Sequence, residues 1–156
     1  MTTPIIVGLV VLGVVVILLV VGATAKLALY LMAGPLEGRI AAQYGSDEVL
    51  MTDLTANSFG LESAGVWQGR GNGALVLTAT ELRFFKFVPK SDLRVPLDTI
   101  TEVTFTKSHL GKATVHDLLK VRFGVGGQAD SIAWYVTDPH AWKGRIEAVK
   151  AAKPSN

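Results

Sequence analysis

No cysteine occurs among the 156 residues of this chain. That excludes disulfides, thiolate metal sites and a cysteine nucleophile, and it fits a cytoplasmic domain. Charge is scarce: Asp, Glu, Lys and Arg make up 18% of the residues, against about a quarter in an average soluble domain. The formal net charge of +2 is too small to imply a nucleic-acid partner. Histidine is limited to His109, His116 and His140, and none of them has metal-ligand spacing. His116 and Asp117 are neighbours, so on a strand they point to opposite faces. No G-x-S-x-G motif is present. The sequence therefore predicts no catalytic, metal or cofactor site, and a protein that is not an enzyme.

Basic residues are also missing ahead of the most apolar stretch. From Ile5 to Val21 nearly every residue is Val, Ile or Leu, and Gly22–Ala25 extends the uncharged run to Lys26. At 1.5 Å per residue, Ile5–Ala25 as a helix spans roughly 30 Å, the thickness of a bilayer's hydrocarbon core. Insertion is favoured by several kcal/mol, to order of magnitude. The expectation is a transmembrane helix over residues 4–33. Ala23-Thr24-Ala25 has the form of a signal-peptide cleavage site, and cleavage there would leave a secreted small β domain. The missing positive start and the length of the run argue for an uncleaved anchor. Lys26 and Arg39 follow the run, with Glu37 as a partial offset. By the positive-inside rule this bias predicts a single-pass protein of the cell membrane with its C-terminal domain in the cytoplasm. Ile5–Ala25 lacks a G-x-x-x-G pair, so helix-driven dimerisation has no support there.

Gly34, Pro35 and Gly38 punctuate the end of this segment. Leu36, Ile40, Ala41 and Tyr44 fall near helical spacing and predict a short interfacial helix within a juxtamembrane segment, 34–46. From Asp47 the pattern changes to period two. Strands are expected at Glu48–Asp53, Ala74–Thr78, Glu81–Val88, Leu93–Leu97, Thr99–Thr106, around Leu119–Val125, and Ser131–Thr137. Pro96 makes the fourth an edge strand or bulge. Asp138 is a good N-cap with Pro139 at the first helical position, and Trp142, Ile146 and Val149 form one apolar stripe. Lys150 and Lys153 suit the negative end of that helix. Residues 47–152 thus predict one mainly β domain, an antiparallel barrel or sandwich of about seven strands closed by a C-terminal helix, with 153–156 as a tail.

The run Arg70-Gly71-Asn72-Gly73-Ala74-Leu75-Val76-Leu77-Thr78, then Glu81-Leu82-Arg83-Phe84-Phe85, resembles the opening of bacterial PH-like and GRAM-like domains. Val95-Pro96-Leu97-Asp98-Thr99-Ile100 and Asp138-Pro139-x-x-Trp142 match later parts of the same pattern, so the resemblance covers about Val49 to Val149. It implies a strongly bent seven-stranded antiparallel sheet capped by a helix, and a module that binds lipids, peptides or other domains without doing chemistry. The basic headgroup pattern of phosphoinositide-binding members is absent apart from Arg70.

Gly69–Ala74 has the spacing of a dinucleotide-binding turn, but a strand rather than a helix follows it, so it reads as a plain turn. Lys107-Ser108-His109-Leu110-Gly111-Lys112, continuing to His116, reads as a basic loop with an exposed Leu110 at its tip. Lys107, His109, Leu110, Lys112 and Arg70 are the candidate contacts for an unidentified protein or for anionic lipid headgroups at the bilayer surface. Protein–protein interaction at the membrane is the leading expectation, with anionic-lipid binding as the alternative. Trp134 and Trp142 read as core. Phe59, in a small-residue loop Ala56–Gly65, and Trp67 are left unassigned by pattern alone.

Overall fold

The computed structural model describes residues 3–152, with side-chain surroundings for 7–24, 27 and 34–152. The expected tail at 153–156, the dipole role of Lys153 and the side chain of Lys26 lie outside the described residues. The chain forms two compact units that meet between Pro35 and Leu36. The first is apolar helix: α1 spans Thr3–Ala41 and crosses that boundary, with Pro35 inside it. Its window Val7–Thr24 is long and apolar enough to cross a membrane, or to act as a signal sequence, and none of it is buried by protein. Regular helix is the expected state of such a run, because only an internally bonded backbone is tolerated in hydrocarbon.

In the second unit seven strands form one antiparallel sheet: β1 (Met51–Leu61), β2 (Gly71–Leu77), β3 (Glu81–Lys86), β4 (Ser91–Pro96), β5 (Ile100–His109), β6 (Lys112–Val125) and β7 (Gln128–Tyr135), in the order β4-β3-β2-β1-β7-β6-β5. A single-turn 3-10 helix, Leu97–Thr99, joins β4 to β5, and α2 (Pro139–Ala152) closes the chain. This is the PH-like fold that the motifs implied: a curled sheet with a C-terminal helix. Period-two residues fill its concave side. Leu75, Leu77, Leu82, Phe84, Leu119, Val121 and Trp134 are buried there with Trp142 and Ile146 of α2. Asp138 accepts the amide of Ala141 at 2.9 Å, the N-cap bond that its position predicts.

The sheet curls at β1. Its first half pairs with β2 and its second with β7, and register shifts fall between Asp53 and Ala56 and between Ser58 and Leu61. Such bulges bend and twist a strand. Ala56, Ser58 and Gly60 sit at this bend, and Gly60 takes φ +104°, open to glycine but strained for other residues. The stretch from Ala56 to Leu61 is therefore strand rather than loop. Its small residues serve the tight curvature, and the first strand begins at Met51 rather than Glu48.

The folded unit begins at Leu36, upstream of the expected boundary at Asp47. Leu36 and Ile40, at the end of α1, are buried on the convex side against Ala74, Val76 and Phe85, with Tyr44, Val49, Leu54 and Phe87 around them. β2 is consequently covered on both faces, which explains its unbroken apolar run. Polar side chains fasten the cover. Arg39 donates to the Lys86 carbonyl at 2.7 Å and pairs with Asp92. Asp92 also takes Arg83 at 2.8 Å. Arg83, 7% exposed, donates to Gln43 at 2.9 Å and lies over the Phe85 ring. Tyr44 donates to Glu81, which Arg94 holds from the other side at 3.1 Å.

A fragment beginning at Asp47 discards Leu36 and Ile40. Burial of two aliphatic side chains is worth about 3–6 kcal/mol in total. Urea unfolding is expected to show the Asp47 fragment less stable than one beginning at Gly34 by about that amount. Equal midpoints would mean that the helix end is not part of the domain.

Candidate functional site

The end of α1 runs along the convex face antiparallel to β3. Arg39 meets the β3–β4 hairpin through Lys86 and Asp92, whereas Tyr44 meets Glu81 and Arg83 at the start of β3. The chain therefore enters the domain at the end of the sheet that carries the β3–β4 connection. The β1–β2 loop, Glu62–Arg70, sits at this end too, since Gly71 packs directly on the Lys86 side chain. So does the β5–β6 hairpin: the Arg70 guanidinium donates to the Ala113 carbonyl at 3.2 Å. A cavity of about 200 Å³ opens here, lined by Ser58, Gly60, Gln68, Phe84, Lys86 and Asp92 among others.

The sequence candidates meet at this loop end, in altered roles. The stretch from Lys107 to Lys112 is a two-residue hairpin rather than an extended basic loop. Leu110 and Gly111 both have positive φ, +51° and +73°, as a primed turn requires. Leucine rarely adopts such a φ. Its side chain is half-buried instead of forming an exposed tip, and Cδ1 lies 3.1 Å from where a Cβ on Gly60 would stand. Lys112 is not a free cation: its ammonium donates to the Phe59 carbonyl at 3.0 Å and to the Gln68 carbonyl. Arg70 lies 4.2 Å above the Phe59 ring, sealing a small cluster of Phe59, Leu118 and Ala133. Lys107 remains exposed. Charges that read as ligand contacts thus serve to hold the β1–β2 loop onto the β5–β6 hairpin.

His109 belongs to the same clasp. It is 5% exposed, and Nε2 donates to the Gly60 carbonyl at 2.9 Å. Burial pushes its pKa down, the Gly60 carbonyl pulls it back in part, and the nearby Lys120 and Lys112 push it down further. The ring is therefore neutral at neutral pH, with its proton on Nε2. Asp130 and Glu62 anchor the other side of the loop, Asp130 by accepting the Ser63 amide at 3.0 Å and hydroxyl at 2.6 Å, and Glu62 by accepting the Ser131 hydroxyl.

Fixing the loop from both sides leaves its tip bare. Trp67 is 97% exposed, Val66 beside it 56%, and Val88 of the β3–β4 connection 67%. Lys90, on the β3–β4 connection, and Lys107, two residues before His109 at the β5–β6 hairpin, are exposed. A tryptophan this exposed is the feature that sequence pattern leaves unassigned. The available signal was its place in Gly65-Val-Trp-Gln-Gly69, a glycine-bounded segment without strand or helix periodicity. Phe59, by contrast, is core. Among the described residues no cluster of three or more His, Cys, Asp or Glu side chains is arranged to hold a metal.

No protein-family model matches the sequence. No curated protein matches it either. Solved structures do resemble the fold. A chain of the 8S snRNP assembly intermediate is 11% identical and superposes with a TM-score of 0.53 over 72% of this chain and 89% of that one. The hSac2 domain from human phosphoinositide phosphatase Sac2 is 11% identical, with a TM-score of 0.52 over 81% and 85%. The Vps36 N-terminal PH domain gives 15% identity and a TM-score of 0.49 over 67% and 79%. At these identities the likeness is one of fold.

The lowered pKa of His109 has a consequence for stability. Once the pH falls below the ordinary value of 6.5, the unfolded chain takes up a proton that the folded chain refuses. The stability that the neutral, buried ring contributes is full above that pH and is lost as the pH falls toward the folded-state value. Urea midpoints are expected to drop between pH 7.5 and 5.5, and to drop less for His109→Gln. The lowered pKa values of Glu62 and Asp130 act in a more acidic range. An identical drop in both proteins would show that His109 is not the group titrating.

Proposed function

We propose that the chain is a membrane-tethered, non-catalytic binding module whose loop end rests on the bilayer crossed by its N-terminal helix. One observation carries this reading: Trp67, fully exposed, sits at the end of the domain where the chain enters through Arg39. Only Gly34 and Pro35 separate the apolar segment ending at Ala33 from the first docked residue, Leu36. Three backbone steps reach about 11 Å at most, so the entry end of the domain is the end that a membrane anchor keeps near the lipid. Tryptophan is enriched where bilayer meets water, because its ring is apolar and its indole N–H polar. Lys90 and Lys107 supply the cations that anionic headgroups favour, each worth about 1 kcal/mol at such a surface.

In this reading the helix is an anchor rather than a cleaved signal, and the charges of Lys26 and Arg39 favour a cytoplasmic domain at the cell membrane. Lipid headgroups are the ligand at the loop end. Each contact is weak, and tethering supplies the local concentration that makes weak contacts sufficient.

The test uses the full chain in nanodiscs containing anionic lipid with brominated acyl chains. Trp134 and Trp142 are buried in the core, so lipid quenching of tryptophan fluorescence is expected to report Trp67 and to disappear in Trp67→Phe. Quenching that persists in that variant, or Trp67 freely quenched by aqueous iodide, would contradict the seating.

A further inference from the structure

The cover that the end of α1 lays over the convex face is closed on one side and open on the other. Toward β2 and β3 it is sealed. Ala74, Val76 and Phe85 are buried beneath it, and Arg39, Gln43 and Tyr44 bond to groups on β3 and β4. Toward β1 nothing fastens it: among the described residues no hydrogen bond or ion pair joins Leu36–Tyr44 to β1. Val49 and Leu54 belong to the same apolar cluster but stay only half-buried. The open side is a groove of about 400 Å³ along the helix, with Ile40, Ala41, Tyr44, Val49 and Leu54 among its lining residues. Apolar surface left open beside a packed cluster marks an interaction site.

Charge around this groove has one sign. Glu37 lines one end, is exposed, and forms no ion pair among the described residues. At the other end the lining residues Gly45 and Ser46 lead into Asp47 and Glu48, both exposed. Glu48 accepts the Gly45 amide at 2.7 Å, which holds its carboxylate at the rim. Among the described residues no Lys, Arg or His lines the groove. From Glu37 to Gly45 is roughly 12 Å of helical rise. A fitting occupant therefore has aliphatic side chains in its middle and a cation at each end. Anionic lipid is repelled by the same carboxylates, and a second copy of the chain would bring them to face one another.

Position narrows the choice further. Glu37 follows Ala33, the end of the apolar segment, by at most about 15 Å of chain. The cytoplasmic flanks of transmembrane helices are rich in Lys and Arg. We propose that the groove docks the basic, aliphatic-rich flank of a transmembrane helix in another membrane protein. The kind of partner rests on the membrane-tethered, cytoplasmic reading above, whereas the groove and its charge do not.

The experiment uses the full chain in nanodiscs of neutral lipid, which offer a basic peptide no anionic surface. The probe is a fluorescent, end-capped peptide, Lys-Leu-Val-Leu-Lys. Saturable binding is expected with the chain present and none to empty nanodiscs. Glu-Leu-Val-Leu-Glu, with the charge reversed, and Lys-Ser-Ser-Ser-Lys, with the apolar middle removed, are each expected to bind about tenfold more weakly. Two variants locate the site, and urea midpoints check that both fold. Glu37→Lys reverses the rim charge, and Ala41→Phe fills the groove from an exposed position on α1. Each is expected to weaken binding about tenfold. Equal binding of the three peptides, undiminished binding to Glu37→Lys, or no binding at millimolar peptide would overturn the proposal. Quenching of Trp67 by brominated lipid reports the loop end separately. Lost quenching with retained binding contradicts the seating alone, and retained quenching with lost binding contradicts the groove alone.

Discussion

Leu36 and Ile40 pack on the convex face of β2 and β3, and much of the structure depends on that contact. An apolar outer face on Ala74, Val76 and Phe85 would otherwise lie open to water. Covering it makes the end of α1 part of the domain's core. The side chains that fix the cover also set its direction. Arg39 can reach the Lys86 carbonyl and Asp92 only if the chain arrives at the β3–β4 end of the sheet, and Tyr44 can reach Glu81 only if it leaves toward the other. Arg83 shares Asp92 with Arg39 and is almost wholly buried. Removing that carboxylate would leave the buried Arg83 and its neighbour Arg39 with neutral acceptors only, a heavier cost than losing a surface ion pair.

From that direction follows the character of the two ends. The entry end gathers the β1–β2, β3–β4 and β5–β6 connections. There His109, Lys112 and Arg70 are spent on carbonyls of Gly60, Phe59, Gln68 and Ala113, holding the β1–β2 loop so that Val66 and Trp67 project. The opposite end is filled by α2, whose stripe of Trp142 and Ile146 plugs the concave side.

Much of the fold was legible in the sequence because it rests on local signals. Alternation in Leu119–Val125 marks a half-buried strand, Asp138-Pro139 marks a helix start, and Pro96 marks an edge. Each holds in the structure. What was not legible depends on partners distant in the chain. Ala56, Ser58 and Gly60 look like loop residues until β7 is seen to pair with the bent half of β1. Lys112 and His109 look like free surface groups because their acceptors lie about fifty residues upstream and are main-chain carbonyls, which no side-chain pattern announces. In the sequence Leu36 and Ile40 point to a short interfacial helix, since helical spacing gives the apolar stripe but not the surface it meets. Trp67 is the converse case: its exposure is the absence of a partner, visible only once every neighbour is placed.

The proposed seating holds the entry end of the domain at the membrane surface. It is tested most directly by the depth of spin labels in the full chain reconstituted in nanodiscs. One label replaces Lys90 on the β3–β4 connection. Another replaces Asp98, exposed just beyond Pro96, at the far end of β4. That seating puts a Lys90 label at headgroup depth, shielded from an aqueous relaxation agent, and leaves an Asp98 label fully exposed to it. Equal accessibility at the two positions, or an Asp98 label deeper than the Lys90 label, would contradict it.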